Sequence, residues 1–137
     1  MIFFMNMEKF IKDTIFVAGD KLLELFGNAK SLYSKQTVVD IVTEADLASN
    51  TLICDAIKKQ YPDHGIVSEE GESYQSGSDY QWYIDPLDGT KNFASHTPLF
   101  GINIGLTYKG EVTHAAIYLP YMKEFYYAEK GKGAFLN

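Results

Sequence analysis

A chain of 137 residues, 46% hydrophobic and 15% aromatic, is long enough for one packed domain and too apolar to stay disordered. Its formal net charge of −6 argues against nucleic acid and anionic membrane as principal partners. All twelve basic residues are lysines, so the bidentate guanidinium fork often used to grip phosphate is missing.

The opening "MIFFM" lacks the basic flank and long apolar run of a signal peptide, and no stretch reads as a membrane span. Ile11, Ile15, Ala18, Leu22 and Leu25 recur at three- and four-residue steps, which predicts an amphipathic helix from Met7 to Phe26, closed by Gly27-Asn28. The β-branched stretch "SLYSKQTVVDIVTEAD" reads as a short hairpin or an extended loop, with Thr43 and Asp46 in a capping arrangement. A second helix is expected from Glu44 to Gln60, stopping at "YPDHG". It contains Cys54, the one cysteine, read as a small buried apolar residue; a chain with no internal disulfide fits a reducing, cytoplasmic compartment.

Strands dominate the remainder. "GIVSEE" predicts a short strand ending in acids, "YQSGSD" a loop and "YQWYID" the next strand. "PLFGINIGLTYKGEVTHAAIYLP" predicts two strands joined at Lys109-Gly110, with Ile102, Ile104 and Leu106 facing a core. "KEFYYAEKGKGAFLN" begins a further hairpin. Two helices followed by several antiparallel strands make a single α+β layer over residues 1–137.

Chemistry concentrates in "DPLDGT". Pro86 favours a turn that would point Asp85 and Asp88 to one side, with the Leu87 carbonyl between them. Hard oxygens of this kind suit Mg²⁺, while Gly89 and the N–H groups opening "TKNF" make an anion site without arginine. An ordinary Asp-Gly turn, with Asp88 as a helix N-cap, accounts for the hexapeptide equally well. Glu69 and Glu70 at a strand end and Asp46 at a helix start each have a plain reading as well: a charged terminus and a first-turn acid. Three acidic positions at the ends of three elements weigh more together, because the segment from Asp40 to Thr90 holds eleven acids against Lys58 and Lys59. His64, His96 and His114 have no metal-ligand spacing and read as structural or surface residues.

Together "DIVTEAD", "GIVSEEG", "WYIDPLDGTKNF" and "GKGAF" resemble the ordered motifs of the inositol monophosphatase family, from the first helix to Phe135. The resemblance implies a Mg²⁺-dependent, Li⁺-sensitive phosphatase acting on a small phosphate monoester. It implies that Glu69, Asp85 and the Leu87 carbonyl hold a first Mg²⁺, and that Asp85 and Asp88 hold a second. Gly89 and Thr90 N–H groups would take phosphate oxygens, and Asp88 would also face the substrate. Glu69 and the Thr90 hydroxyl, hydrogen-bonded to Asp46, would orient and deprotonate the attacking water. Lys35 matches a position placed near the metals, although a solvated loop lysine is the plainer role.

The family's second α/β layer carries a Trp-Asp motif, whereas Trp82 is the only tryptophan here and precedes "DPLDGT". The resemblance therefore implies the front layer of the sugar-phosphatase fold without its back layer, an open sheet face inviting homodimers or other self-association, and weak activity alone. Rival readings are a 3′,5′-bisphosphate nucleotidase, a fructose-1,6-bisphosphatase, a non-catalytic half that binds a partner, and a plain α+β protein.

Overall fold

The computed structural model describes residues 6–32, 38–71 and 73–137. Lys35, the "MIFFM" segment and the Thr43 side chain lie outside the described residues.

Helix α1 (Met7–Leu32) starts where the Asn6 side chain accepts the Glu8 N–H at 2.9 Å, an N-cap bond. Ile11, Ile15, Ala18, Leu22 and Leu25 are all buried, as their spacing requires. Gly27-Asn28 does not end the helix. One interior glycine costs about 1 kcal/mol relative to alanine, too little to stop a helix packed along its length.

Helix α2 (Val38–Gln60) replaces the expected hairpin or loop in its first turns. A β-branched run is only mildly disfavoured in a helix, and a tertiary contact overrides it. That contact is a fully buried row at i, i+4, i+8 and i+12: Ala45, Ser49, Ile53 and Ile57. The helix stops at Tyr61, whose N–H reaches the Ile57 carbonyl at 2.7 Å, just before Pro62. Among the described residues no helix is long and apolar enough to cross a membrane.

The rest is one six-stranded sheet in the order β1-β2-β3-β4-β5-β6: Gly65–Ser68, Tyr80–Asp88, Gly101–Tyr108, Glu111–Leu119, Glu124–Glu129 and Gly133–Leu136. A short helix α3 (Thr90–Ala94) lies between β2 and β3. The expected α+β class holds, but the sheet is mixed, because β1 runs parallel to β2. Direction here follows from the return path, on which Tyr74 pairs with Ile66 through two 2.8 Å backbone bonds before the chain enters β2. That bridge occupies backbone groups of β1 that a bare sheet edge would expose. At the other predicted hairpin Lys109 and Gly110 both have positive φ, 50° and 81°, the geometry of a type I′ turn.

Register places Trp82, Leu106, Ile84, Ile104, Ala116, Tyr127, Tyr118 and Phe125 on one face, where α1 and α2 bury them. Trp82 is fully buried, touches Phe10 and Tyr61, and donates its indole N–H to His64 Nδ1 at 3.0 Å. The opposite face carries two rows, Tyr83-Gly105-Ala115-Ala128-Ala134 and Asp85-Asn103-Ile117-Tyr126-Leu136. Tyr83, Ile117 and Leu136 are about half exposed there, at 49%, 45% and 52%. A groove of about 500 Å³ runs over this face, with Glu69, Asp85 and Asn103 at one end and Gly105, Ala115 and Ile117 in its floor.

Candidate functional site

The end of β2 is a bulged strand rather than the expected tight turn. Asp85 pairs with Asn103 and Asp88 with Gly101, so three steps along β2 match two along β3. In a regular strand, residues three apart face opposite sides. The extra residue restores parity and puts Asp85 and Asp88 on the same side, because Asn103 and Gly101 share a face. Pro86 sits inside the irregularity, where its missing N–H breaks no regular ladder bond. Its carbonyl accepts the hydroxyl of buried Ser49 at 2.7 Å, which pins the bulge to α2.

One turn before Ser49 on α2 stands Asp46, 6% exposed. Burial, then the charges of Glu70, Asp85 and Glu69, push its carboxyl up to about 7. The Asp85 carboxyl is pushed up to about 6, by burial first and then by Glu69 and Asp88, against hydrogen bonds from the Leu87 backbone and the Asn103 side chain. Glu69 is set beside them because β1 is parallel to β2: its N–H continues the ladder to the Ile84 carbonyl at 3.1 Å. Glu70 N–H bonds the Ser68 hydroxyl at 3.2 Å. Parallel pairing and bulge thus bring Asp46, Glu69, Glu70, Asp85 and Asp88 within electrostatic reach.

Gly89, at φ 85°, is the N-cap of α3, so Asp88 does not play that part, and no side chain caps the helix. A Cβ at Gly89 would lie 3.0 Å from the Leu99 carbonyl, in a conformation L-residues avoid. That carbonyl also accepts the Asn92 amide at 2.8 Å, and buried Phe93 packs tilted against Phe26 and edge-on against Phe100, which anchors α3. Thr90 stands exposed at the first position of the helix. Among the described residues, no hydrogen bond joins Thr90 to Asp46, whose carboxyl is governed by burial and its acidic neighbours.

Among the described residues, no three His, Cys, Asp or Glu side chains close into a single metal cage, and no ion pair engages these five acids. The donor set nevertheless fits a hard divalent cation: carboxylate oxygens whose charges push the Asp46 and Asp85 carboxyls up, with no ion pair to them among the described residues. The histidines serve elsewhere. His64 stacks between Tyr61 and Tyr80 at 4.8 and 4.6 Å, His96 lies against Phe26, and His114 lies 3.7 Å from Glu129.

Sequence reasoning passed over Ser49, Asn103 and the link between Glu70 and Asp46. Each left a trace: a serine on the buried side of an apolar helix, a lone amide between two core isoleucines, and a doubled glutamate at a strand end.

A family model described as the inositol monophosphatase family matches residues 5–137. Over 136 residues the chain is 38% identical to the fructose-1,6-bisphosphatase/inositol-1-monophosphatase of Aquifex aeolicus, covering 96% of this chain and 52% of that protein. Over 101 residues it is 46% identical to Nus factor SuhB of Pseudomonas aeruginosa, covering 72% and 37%. The fold matches the crystal structure of extragenic suppressor protein SuhB from Bartonella henselae with a TM-score of 0.84 at 30% identity, covering 95% of this chain and 50% of that one. The chain thus spans about half the length of its relatives, or less.

Proposed function

The chain belongs to the inositol monophosphatase family, and from that membership we propose that it carries the cation-binding part of a Mg²⁺-dependent phosphomonoesterase. Glu69, Asp85, the Leu87 carbonyl and Asp88 would hold Mg²⁺. Bound there, the cation would supply positive charge that a chain without arginine lacks and would acidify water near the phosphate. The chain's own part is to bind and orient. The Gly89 and Thr90 N–H groups would donate to phosphate oxygens, and the Thr90 hydroxyl and Glu69 would orient the attacking water, with Glu69 taking its proton. The observation that carries this reading is the bulge at Pro86, which turns two acids of one strand to a single side beside Glu69.

The substrate class is a small phosphate monoester, inositol monophosphate first, with a 3′,5′-bisphosphate nucleotide or fructose 1,6-bisphosphate as alternatives. The isolated chain should bind Mg²⁺ in the millimolar range and release phosphate slowly, since half of its relatives' length has no counterpart in it. Thermal unfolding in EDTA and in 20 mM MgCl₂ is expected to show a clear Mg²⁺-dependent rise. Identical curves would remove the metal reading. A vigorous phosphate release by this chain alone would show that no further residues are needed.

A second reading rests on the helix-free sheet face. Its half-exposed Tyr83, Ile117 and Leu136 leave apolar side chains open to solvent on one face, and contiguous apolar patches mark association sites. We infer that the isolated chain self-associates through it, as a homodimer or a larger assembly. Light scattering should report a mass above 15.4 kDa, lowered by Ile117→Lys. A monodisperse monomer at 100 µM would contradict this.

A further inference from the structure

Asn103 is a neutral side-chain donor set among the acids at the end of β2. Strand parity puts it there: Ile102 and Ile104 are buried on the helix side, so the residue between them must point to the open face. Its neighbour on β2 is Asp85, and on the other side its register partner on β4 is Ile117. The amide Nδ2 donates to Asp88 Oδ2 at 3.4 Å, a long and weak bond, and the register sets Asp85 directly beside it. An asparagine amide has two N–H donors, enough for both carboxylates at once.

The choice of residue type carries information. A lysine at this position would pair with the two acids and occupy the charge that a cation must meet. An aspartate would add repulsion, and an alanine would leave two carboxylates on one side of a bulge with nothing drawing them together. A neutral donor gathers the pair and leaves its charge unspent. We propose that Asn103 is a positioning residue for the cation site, holding Asp85 and Asp88 on one side of the β2 bulge before the cation arrives. The inference rests on the reading that these two acids take a divalent cation. It adds a residue of β3 to a site otherwise built from α2, β1 and β2.

The test is a Mn²⁺ titration of the 137-residue chain, followed by electron paramagnetic resonance of the free ion, with Asn103→Ala and Asn103→Ser. Removing a partner that orients metal ligands typically weakens binding by about 10- to 100-fold. Asn103→Ala should therefore bind Mn²⁺ about tenfold more weakly or worse. Asn103→Ser, which keeps one short donor, should recover part of the loss. Far-UV circular dichroism and the Trp82 emission of the metal-free variants should match the parent, separating positioning from a general loss of structure. Should Asn103→Ala fail to fold, Asn103→Ser alone carries the comparison. Mn²⁺ binding within twofold of the parent by Asn103→Ala, or by Asn103→Ser where the alanine variant does not fold, overturns the inference while leaving the metal reading intact. A parent chain that binds no Mn²⁺ removes both.

Discussion

Asp85→Asn is expected to abolish the thermal response to Mg²⁺ and, in EDTA at pH 7.5, to melt above the parent. Both effects have one cause. The Asp85 carboxyl is pushed up to about 6 by burial, by Glu69 and by Asp88, so its charged form is unwelcome in the metal-free fold. An acid whose folded pKa lies above its unfolded value contributes stability that is complete below the unfolded value. That contribution is lost as pH rises through the folded one. For Asp85 the loss runs from about pH 4 to about pH 6, and for Asp46 it extends to about pH 7. At pH 7.5 the Asp85 carboxylate is ionised and repels its neighbours. Removing the Asp85 charge should then return on the order of 2 kcal/mol, allowing for partial solvent screening.

The gain should shrink at pH 5, where the folded parent has already protonated Asp85. Comparing variant with parent at each pH cancels the opposite trend of His64 and His114, whose pKa values burial lowers. Scanning calorimetry at pH 5 and 7.5, with EDTA and with MgCl₂, checks all of this. A variant that keeps the parent's Mg²⁺ response would show that Asp85 is no ligand. One that is less stable than the parent in EDTA at pH 7.5 would show that its charge is not under strain.

The second large effect concerns the core beneath the site. Trp82 is fully buried three residues before Asp85, against Phe10 and Tyr61. Trp82→Ala should cost about 3–5 kcal/mol, because a cavity replaces an indole that the sheet and α1 cannot close over. Against a total stability of roughly 5–15 kcal/mol, that is a large share of what holds the chain folded. Trp82→Phe keeps most of the volume and loses the bond to His64 Nδ1, so about 1 kcal/mol is expected from the missing donor, plus a smaller packing loss. Urea unfolding followed by far-UV circular dichroism measures both, since the variants lose the only tryptophan. A loss below about 1 kcal/mol in Trp82→Ala would mean that β2 is not held by this contact.

Much of the architecture was legible beforehand because its causes are local. The stripe Ile11-Ile15-Ala18-Leu22-Leu25 has the helix period and is buried in α1. The alternation Ile102-Ile104-Leu106 has the strand period and faces the helices. Lys109-Gly110 has the residues that two positive φ angles favour. Where α1 ends, where α2 begins and which way β1 runs escaped sequence reading. Gly27 and the β-branched run before Glu44 carry only weak preferences, and the direction of β1 depends on a bridge to Tyr74 across the loop.

The candidate site divides the same way. That "DPLDGT" gathers hard oxygens at a strand end follows from residue types alone, and so does the need for an outside positive charge in an acidic chain without arginine. Whether Asp85 and Asp88 share a face does not follow from them, because a bulge is a mismatch between two strands and exists only once β2 has found β3. Ser49, 37 residues before Pro86 in the chain, then secures that mismatch from a helix. Composition and period act within a few residues; register and anchoring are relations between distant segments, and only the folded chain decides them.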